Sequence, residues 1–421
     1  MVMSRQPASR APTARLPRGV KTMQNKMNEQ KLPLAGIRVV EFVHMVMGPT
    51  CGLVLADLGA EVIKIEPLDG DHTRHLTASG AGFFPTYNRN KKSLAVDLKS
   101  AAGREIVLKL LATADVVSEN FRPGAMEKLG FGYAAVKKLK PDVIYCSHKG
   151  FLRGPYEHRT ALDEVVQMMG GLAYMTGGKG KPIRAGASVN DIMGGMFGAI
   201  AILSAIIQRK ATGEGQYVQS GLFENNVFLM AQHMLEGFMT GKPVVPMPDR
   251  VRAWAVYDTF TTADGEQVFV GVVTDTQWKV FCESFGLQNL LDDPALKTNP
   301  MRVVERPRAI PLLTEIFGRM GKQELMDRCE KLGLPYAPIS KPEDLFDDPH
   351  LKASGGLNDI TLMNGIKTQV PIMPIEMGGR RFRTRLDLPK VGEHTRELLS
   401  GLGYSWSEIE TLIKDNVART G

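Results

Sequence analysis

The chain has 421 residues, 43% of them hydrophobic and 23% charged, which is typical of a soluble globular protein with room for two domains. Of its net charge of +7, the first thirty residues contribute +5, so the remainder is close to neutral and argues against a nucleic-acid-binding surface. The four cysteines are scattered without metal-ligand spacing, which argues against a disulfide framework and for a reducing compartment.

Residues 1–30 are predicted to form a disordered basic tail. They are rich in Arg, Ser, Ala and Pro, are poor in acidic residues, and lack the apolar core of a secretory signal. A mitochondrial-type presequence, or an extension upstream of a start near Met27, fits the same composition. We therefore expect a cytoplasmic protein, with the mitochondrial matrix as the alternative if the tail is a presequence.

A strand–helix–strand unit opens the folded part of the chain. Strands are predicted over Ile37–Val43 and Val62–Ile65, with a helix over Thr50–Leu58 between them that begins after Gly48-Pro49. This order predicts a parallel sheet and an α/β fold. A dinucleotide fingerprint starting at Gly48 would need glycines at positions 50 and 53, which hold Thr and Leu, so NAD is not expected.

Three loops with basic or amide side chains lie next to predicted strands. The loop 88–93 precedes the strand Leu94–Val96, and the helices Lys99–Ala112 and Tyr133–Leu139 follow along the chain. The loops 119–124 and 148–150 follow strands predicted over Val116–Ser118 and Val143–Cys146. Because open α/β sheets bind ligands at the carboxyl ends of their strands, these loops predict a site for an anionic ligand. Taken by itself, loop 88–93 is more typical of a solvated turn.

The segment 159–172 places Asp163 at the mouth of an apolar stretch. A helix is predicted from about Leu162 to Met169, ended by Gly170-Gly171, because apolar residues recur there at helical spacing. Asp163 then lies in the first turn, whose backbone N–H groups face a carboxylate. The pattern Thr160-x-x-Asp163 fits a capping box, and an Asp nucleophile that forms an acyl intermediate fits the same position.

The remaining elements indicate a second, smaller domain. The glycine-bearing helix Asp191–Arg209 carries an apolar run of sixteen residues, shorter than the ~20 needed to span a membrane, and is predicted to be a buried core helix. A helix over Leu222–Phe238 and a proline-rich linker precede a hairpin over 259–272 and several helices, with a last helix opening in 391–396. We expect a tail at 1–30, a large domain at 31–225, a small α+β domain at 226–345 and a C-terminal segment at 346–421 that returns to the large domain.

Eight short segments occur in a fixed order along nearly the whole chain. They are Leu34–Phe42, Gly48-Pro49, Leu58–Glu66, Asn88–Ser93, Glu119–Gly124, Asp163-x-x-x-Gln167, Phe260–Gly265 and Gly392–Thr395. In this set and order the chain resembles the family III CoA-transferases (the CaiB/BaiF family). That group includes formyl-CoA:oxalate, carnitine and succinyl-CoA:glutarate CoA-transferases and the α-methylacyl-CoA racemases.

The resemblance implies a fold, a mechanism and a set of contacts. The fold would be a Rossmann-like large domain with a parallel sheet, a smaller α+β domain, and a homodimer of two interlocked chains. Asp163 would attack an acyl-CoA donor, take up CoA as an aspartyl thioester, and pass it to a carboxylic acid, with no metal. Coenzyme A, as the acyl-CoA substrate, would contact Val46, Met47, Asn90, Lys91, Asn120, Phe121, Arg122, Lys128, Lys149 and Gly150.

Several positions depart from the family pattern. Val46-Met47 stands where the oxalate enzyme has Gln-Ala, and Pro67 replaces a CoA-contacting arginine. The glycine-rich loop that covers the intermediate in the formyl-CoA enzyme has no counterpart between Gly241 and Tyr257. Racemases usually carry His just before the Asp, where this chain has Leu162, so a transferase is favoured over a racemase-like isomerase. A CoA-binding protein without catalysis is the further alternative.

The substrate prediction depends on the local supply of cations. We expect a dicarboxylate, such as succinyl-CoA with a C4–C5 diacid, because its distal carboxylate needs a cationic partner. His44 in the first loop, Arg159 four residues before Asp163, and Arg252 are the candidates, with Gln167 as a further substrate residue. Small molecules are the only partners expected besides a second copy of the chain, with no nucleic acid and no membrane.

Overall fold

The computed structural model describes residues 32–250 and 252–421, so the predicted tail at 1–30 lies outside the described residues. Two compact units divide this part of the chain. The larger unit comprises residues 32–170, 185–230 and 356–421, and the smaller unit comprises residues 171–184 and 231–355. From the sequence we expected domain boundaries at 225/226 and 345/346. Those boundaries place residues 171–184 in the large domain, whereas the structure places them in the smaller unit.

The first part of the larger unit alternates strands and helices. Its elements are β1 (Arg38–Phe42), α1 (Met47–Asp57), β2 (Glu61–Glu66), α2 (Phe83–Tyr87), β3 (Lys91–Val96), α3 (Ala101–Leu111), β4 (Val116–Glu119), α4 (Ala125–Leu129), α5 (Tyr133–Leu139), β5 (Ile144–Lys149) and α6 (Asp163–Met169). Short 3₁₀ turns lie at His72–His75 and Ala78–Gly80. This alternation matches the predicted strand–helix–strand order.

The middle of the chain carries the long helices and the smaller unit. In order these are α7 (Leu172–Thr176), α8 (Val189–Thr212), β6 (Tyr217–Gly221), α9 (Leu222–Thr240), β7 (Val256–Thr261), β8 (Gln267–Val272), α10 (Asp275–Ser284), α11 (Gln288–Leu291), α12 (Asn299–Val304), α13 (Arg306–Phe317), α14 (Lys322–Lys331), β9 (Tyr336–Pro338) and α15 (Pro349–Ser354). The predicted hairpin is β7–β8, and Gly265 takes a φ of +77° at its turn. Strand β9 adds to β8 to make a three-stranded antiparallel sheet.

The C-terminal segment belongs to the larger unit from residue 356 onward, whereas residues 346–355 lie in the smaller unit. It contains β10 (Leu357–Thr361), β11 (Lys367–Pro371), β12 (Glu376–Met377), β13 (Arg380–Arg381), α16 (Thr395–Gly401), α17 (Trp406–Lys414) and β14 (Ala418–Arg419). The helix expected to open in 391–396 is α16. The prediction that it is the last helix is wrong, because α17 and β14 follow it. Strand β14 was not predicted, because a strand of two residues is too short to show a hydrophobic period.

A seven-stranded sheet forms the centre of the larger unit, in the order β14-β3-β2-β1-β4-β5-β6. Strands β1 to β6 are parallel, and β14 pairs antiparallel with β3. The predicted α/β fold with a parallel sheet is therefore confirmed. Strand β1 lies between β2 and β4, so the strand order reverses there. Such a switch point opens a crevice at the carboxyl ends of the two strands.

Helix α8 packs closely on α1 as a core helix. A Cβ atom at Gly195 would come within 2.5 Å of the backbone oxygen of Met47, so only glycine permits this approach. Ile202 and Ala205 of α8 are buried in a cluster with Leu55 of α1. Among the described residues, α8 is the one helix long and apolar enough to meet the length and hydropathy requirements of a membrane span. Its glycine face is instead buried against protein.

Loop 88–93 is not a solvated turn, which corrects that alternative. Asn88, Arg89, Asn90 and Lys91 are all buried, and β3 already begins at Lys91. Arg89 forms a salt bridge with Asp57 at 2.7 Å, and Lys91 forms one with Glu41 at 2.8 Å. Carboxylates that are distant in sequence therefore compensate these charges inside the fold.

Candidate active site

Helix α6 presents Asp163 as its first residue. The chain is extended at Leu162, which caps the helix without a side-chain hydrogen bond, so the capping box proposed for Thr160 and Asp163 does not form. The helix ends at Gly170, and Gly171 takes a φ of +89°. The predicted bounds of this helix are confirmed within one residue. The side chain of Asp163, the first residue of α6, is therefore available to interact with other elements.

One oxygen of the Asp163 carboxylate lies at the N-terminus of α8. Oδ1 accepts the backbone N–H of Asn190 at 2.8 Å and that of Asp191 at 3.2 Å. These are the second and third residues of a 24-residue helix, whose first N–H groups have no partner within the helix. The helix dipole favours a negative charge at this place. These two backbone donors come from α8, whereas the sequence suggested the first turn of α6.

The other carboxylate oxygen is held by Gln167. Gln167 Nε2 donates to Asp163 Oδ2 at 2.6 Å, while Gln167 Oε1 accepts the N–H of Ala185 at 2.8 Å. The second hydrogen bond fixes which end of the amide faces the carboxylate. Asp163 is only 6% exposed and Gln167 is fully buried. The two oxygens of Asp163 therefore have different environments in a largely dry site.

A cleft of about 750 Å³ lies at the carboxyl ends of β1, β4 and β5 and reaches the residue before Asp163. The segment between β5 and α6 forms its remaining wall. The cleft is lined by His44, Asn120, Phe121, Arg122, Pro123, Ala125, His148, Lys149, Gly150, Glu157, His158, Arg159, Thr160, Ala161 and Leu162. It occupies the crevice expected at the switch point of the sheet.

Asn120 fastens the first loop of the sheet to the loop after β4. Its Oδ1 accepts the N–H of His44 at 3.0 Å, and its Nδ2 donates to the carbonyl oxygen of His44 at 2.8 Å. The next residue, Met45, has a left-handed φ of +62° and donates its N–H to Thr73 Oγ1 at 3.0 Å. Both polar atoms of the Asn120 side chain are thus used on protein, and its contact with CoA stays a prediction.

Glu119 connects the loop after β4 with the end of β5 at the edge of the cleft. One of its oxygens accepts the N–H of Phe121 at 2.8 Å, and the other lies 3.0 Å from Lys149 Nζ and accepts the hydroxyl of Ser147. Glu119 is 3% exposed and is not among the residues that line the cleft, so it holds Lys149 from within the protein. The predicted set did not include Glu119, although it precedes Asn120 in the same sequence motif.

His44 is a weaker candidate for a substrate-binding cation than expected from the sequence. His44 is exposed at the cleft, and partial desolvation of its imidazole lowers its pKa below 6.5, against the opposing influence of the Asp71 carboxylate. The ring still reaches the cleft and lies 5.8 Å from the ring of Phe121. Near neutral pH the uncharged form of the imidazole is therefore favoured.

Two guanidinium groups supply positive charge to the cleft. Arg122 and Arg159 form no salt bridge with an Asp or Glu of the described residues, whereas the charge of Lys149 is offset by Glu119. The Arg159 guanidinium carbon lies 5.0 Å from the ring centre of Tyr156 and 5.9 Å from that of Phe151. Positive charge is therefore available to an anionic ligand at two points of the cleft.

The other predicted residues lie away from the cleft surface. Val46 and Met47 are 1% and 5% exposed at the start of α1, and the side chains of Asn90 and Lys91 are bonded inside the fold. Lys128 is exposed on α4, outside the residues that line the cleft. The CoA contacts of these five residues stay predictions.

Arg252 belongs to the smaller unit, where its guanidinium lies 3.5 Å from Asp258.

Within residues 32–250 and 252–421, no group of three or more His, Cys, Asp or Glu side chains is placed to hold a metal ion. The site therefore consists of a buried carboxylate with oriented donors beside a cationic cleft.

A family model described as CoA-transferase family III matches residues 34–395. The chain is 34% identical over 394 residues to a succinate–glutarate CoA-transferase of Agrobacterium fabrum, covering 89% of this chain and 97% of the relative. It is 32% identical to the succinyl-CoA:glutarate CoA-transferase of Mus musculus, covering 91% and 90%. It is also 32% identical to a succinyl-CoA:mesaconate CoA-transferase of Haloarcula hispanica, covering 90% and 99%.

Two solved structures are similar over most of the chain. A CAIB/BAIF family protein from Brucella suis superimposes with a TM-score of 0.80 at 34% identity, covering 89% of this chain and 100% of that chain. A hypothetical protein from Mycobacterium tuberculosis gives a TM-score of 0.75 at 28% identity, covering 87% and 98%.

Proposed function

This chain belongs to CoA-transferase family III, and from that premise we propose that it transfers CoA from an acyl-CoA donor to a carboxylic acid through covalent intermediates on Asp163. The observation that carries the proposal is the carboxylate itself. Asp163 is 6% exposed, is held by directed donors on both oxygens, and adjoins a cleft lined by guanidinium groups. A nucleophile is most useful where it is oriented and shielded from water.

In the proposed reaction, the Asp163 carboxylate attacks the thioester carbon of the donor. A C–O bond forms and the C–S bond breaks, which releases CoA thiolate and leaves a mixed anhydride. The thiolate then attacks the Cγ carbon of Asp163, and the anhydride C–O bond breaks to release the donor acid. The product is an aspartyl-CoA thioester, so the energy of the thioester is kept.

The second half of the reaction reverses these bonds with the acceptor. The acceptor carboxylate attacks the aspartyl thioester carbon, expels CoA thiolate and forms a second anhydride. The thiolate attacks the acyl carbon that came from the acceptor, and the Asp163 carboxylate leaves. No water is needed, because in each step the bond to the attacking oxygen or sulfur atom replaces the bond to the leaving oxygen or sulfur atom.

The donors around Asp163 support separate roles for its two oxygens. When thiolate or acid attacks Cγ, one oxygen carries the negative charge of a tetrahedral intermediate. The N–H groups of Asn190 and Asp191 converge on Oδ1, as the donors of an oxyanion hole do. Gln167 holds Oδ2, which we assign as the oxygen that forms the acyl bond.

We assign CoA to the cleft, beside the loops after β4 and β5. The exposed guanidinium of Arg122 is the cleft cation suited to phosphate groups, and the ammonium of Lys149, paired with Glu119, is a further hydrogen-bond donor there. Backbone groups at Gly150 and the ring of Phe121 line the same cleft. Lys128, which lies outside it, remains the proposed contact for the 3′-phosphate.

We propose a dicarboxylate acid substrate, with succinyl-CoA as the donor. Two relatives above are named for succinyl-CoA with glutarate or mesaconate, which are acids of this class. Of the three candidate cations, His44 favours its uncharged form near neutral pH and Arg252 is paired with Asp258. Arg159 lines the cleft and has no carboxylate partner among the described residues. It is therefore our candidate for the distal carboxylate.

We also propose that two copies of the chain form an interlocked homodimer. Support comes from large apolar side chains exposed on two long helices. Phe228, Phe238 and Met239 of α9 are 68%, 87% and 82% exposed, and Ile207 of α8 is 71% exposed. Apolar surface of this extent is typical of a protein–protein interface. Light scattering should give twice the chain mass; a monomer at micromolar concentration would contradict the proposal.

The test of the reaction uses succinyl-CoA and isotopically labelled glutarate. We expect labelled glutaryl-CoA to form, and mass spectrometry of the protein mixed with succinyl-CoA to show an adduct on Asp163. Hydroxylamine should convert that residue to a hydroxamate. Product formation without any Asp163 adduct would overturn the covalent mechanism. The racemase-like alternative is separated by α-proton exchange into deuterated water without an acceptor acid.

A further inference from the structure

A ladder of aromatic rings runs from the core of the larger unit to Arg159. The ring of Phe223 lies 5.6 Å from that of Phe151, which meets Tyr156 edge-on at 5.7 Å. Phe151 is 3% exposed and packs in a buried cluster with Val166 of α6, the helix that carries the nucleophile. Tyr156 is therefore tied to the same cluster that supports α6.

The end of the ladder holds the guanidinium of Arg159. Its carbon lies 5.0 Å from the centre of the Tyr156 ring, within cation–π distance. The backbone N–H of Arg159 donates to the carbonyl oxygen of Tyr156 at 2.8 Å, so a tight turn returns the arginine to the ring of its own segment. Local chain geometry and stacking together determine where this side chain points.

Stacking leaves a guanidinium able to bind a carboxylate. When an aromatic ring covers the face of the group, its N–H donors still project from the edges and match a carboxylate in the same plane. Immobilising the long side chain beforehand also lowers the entropy cost of binding. Arg159 forms no salt bridge with an Asp or Glu of the described residues, and residues 160–162 continue the cleft wall from it to Asp163.

Arg122 does not have this arrangement. It is the other guanidinium of the cleft without a carboxylate partner among the described residues, yet none of their aromatic rings lies at cation–π distance from it. A long unanchored side chain suits a flexible phosphate chain better than the fixed end of a small acid. The two arginines thus differ in how closely the fold fixes their positions.

We propose that Tyr156 is a positioning residue for acid specificity, which fixes Arg159 so that its edge donors bind the carboxylate of a diacid that does not react. This inference rests on the proposed transferase function and deepens it. The ring, rather than the hydroxyl, carries the effect. The acid then lies with one carboxylate at Arg159 and the other directed along the cleft wall toward Asp163.

The experiment measures kcat and KM for glutarate and for pentanoate, which has the same chain length and one carboxylate. Tyr156→Leu should raise the KM for glutarate about tenfold, the scale of weakening a hydrogen bond to a charged group, with kcat nearly unchanged. The KM for pentanoate should not move. Arg159→Gln should raise the KM for glutarate at least as much. Tyr156→Phe, which keeps the ring, should retain the wild-type value.

A double variant separates positioning from an independent effect. If Tyr156 acts through Arg159, Tyr156→Leu adds nothing to the KM of Arg159→Gln, so the two changes are not additive. The matched control is Tyr404→Leu, which removes a ring 4.3 Å from the Lys109 ammonium and outside the cleft-lining residues. Tyr156 is 45% exposed, so its replacement should leave the fold intact, as the melting temperature will show.

The outcomes distinguish this inference from the function on which it rests. If Arg159→Gln weakens glutarate alone while Tyr156→Leu changes nothing, the positioning role is overturned and the diacid site stands. If Arg159→Gln leaves glutarate unaffected, or if both acids weaken equally, the carboxylate site at Arg159 is overturned with it. Failure of the transferase mechanism is read separately, from the absence of an adduct on Asp163 in wild-type protein.

Discussion

The backbone N–H of Asn190 donates to Asp163 Oδ1 at 2.8 Å, so the longest helix of the larger unit begins at the proposed nucleophile. Asp163 is the first residue of a different helix, α6, and its carboxylate meets the N-terminus of α8. A peptide group cannot swing away as a side chain can. The oxygen that develops charge is therefore met by donors that need no reorganisation.

We expect Asp163→Asn to lower kcat by about 10⁴-fold or more, because an amide does not attack a thioester as a carboxylate does. The replacement has nearly the same size, so the melting temperature should change little. Glu164→Gln is the matched control, since Glu164 is an exposed acid in the same helical turn. A rate for Asp163→Asn close to that of the control would remove Asp163 from the mechanism.

Gln167→Leu is expected to reduce kcat about ten- to a hundredfold. The change removes the donor 2.6 Å from Asp163 Oδ2 and leaves the Ala185 N–H without its acceptor. Stability should fall by about 1–3 kcal/mol for the same reason, as measured by urea unfolding. The fraction of protein that hydroxylamine traps should fall with kcat. Full kcat in a destabilised variant would limit Gln167 to a structural role.

The KM for glutarate should stay constant between pH 6.5 and about 8. Partial desolvation lowers the pKa of His44 below 6.5, so the uncharged imidazole predominates across this range, and guanidinium groups are not deprotonated in proteins. If His44 supplied the positive charge instead, the diacid would bind only in more acidic solution. A KM that rises steeply as the pH increases through this range would restore His44 as the cation.

The lowered pKa of His44 also makes the free energy of unfolding depend on pH. Because the folded-state pKa of His44 is lower than the unfolded value, unfolded chains bind more protons as the pH falls below 6.5. The contribution of His44 to stability is therefore full above pH 6.5 and is lost as the pH falls toward the lowered pKa. His44→Gln should remove this part of the acid dependence in thermal unfolding curves.

Lys91→Met is expected to destabilise the protein by about 3–5 kcal/mol, because it leaves the fully buried carboxylate of Glu41 without its cation. Burial lowers the pKa of Lys91, while Glu41 acts in the opposite direction. The double variant with Glu41→Gln should recover part of the loss. Chemical denaturation measures both effects. If Lys91→Met weakened CoA binding while stability stayed unchanged, Lys91 would instead be a ligand contact, as the family resemblance implies.

The sequence pattern was most informative where the signal is local. The helix Tyr133–Leu139 is predicted with its observed bounds, and α6 is predicted within one residue because apolar spacing and two glycines mark its ends. The resemblance carried by the eight segments implies the nucleophile role of Asp163, which stays a prediction. The parallel sheet follows from the alternation of strands and helices.

The rest depends on groups that are far apart in sequence or that carry no side-chain signal. The donors on Oδ1 are peptide N–H groups 27 and 28 residues after Asp163, and any residue types could supply them. Loop 88–93 appears solvated because its ion-pair partners, Asp57 and Glu41, lie more than thirty residues away. The lowered pKa of His44 depends on packing that composition does not reveal.

The antiparallel strand β14 has a consequence for how the protein is made. Its residues Ala418 and Arg419 pair with β3, so the edge of the central sheet at β3 is completed only after the smaller unit has been translated. The hairpin and helices of residues 231–355 are translated earlier, and N-terminal portions fold first during synthesis. During elongation the nascent chain therefore exposes an unpaired strand that invites association with neighbouring polypeptides. Deletion of β14 would leave this edge of the sheet unpaired after synthesis as well.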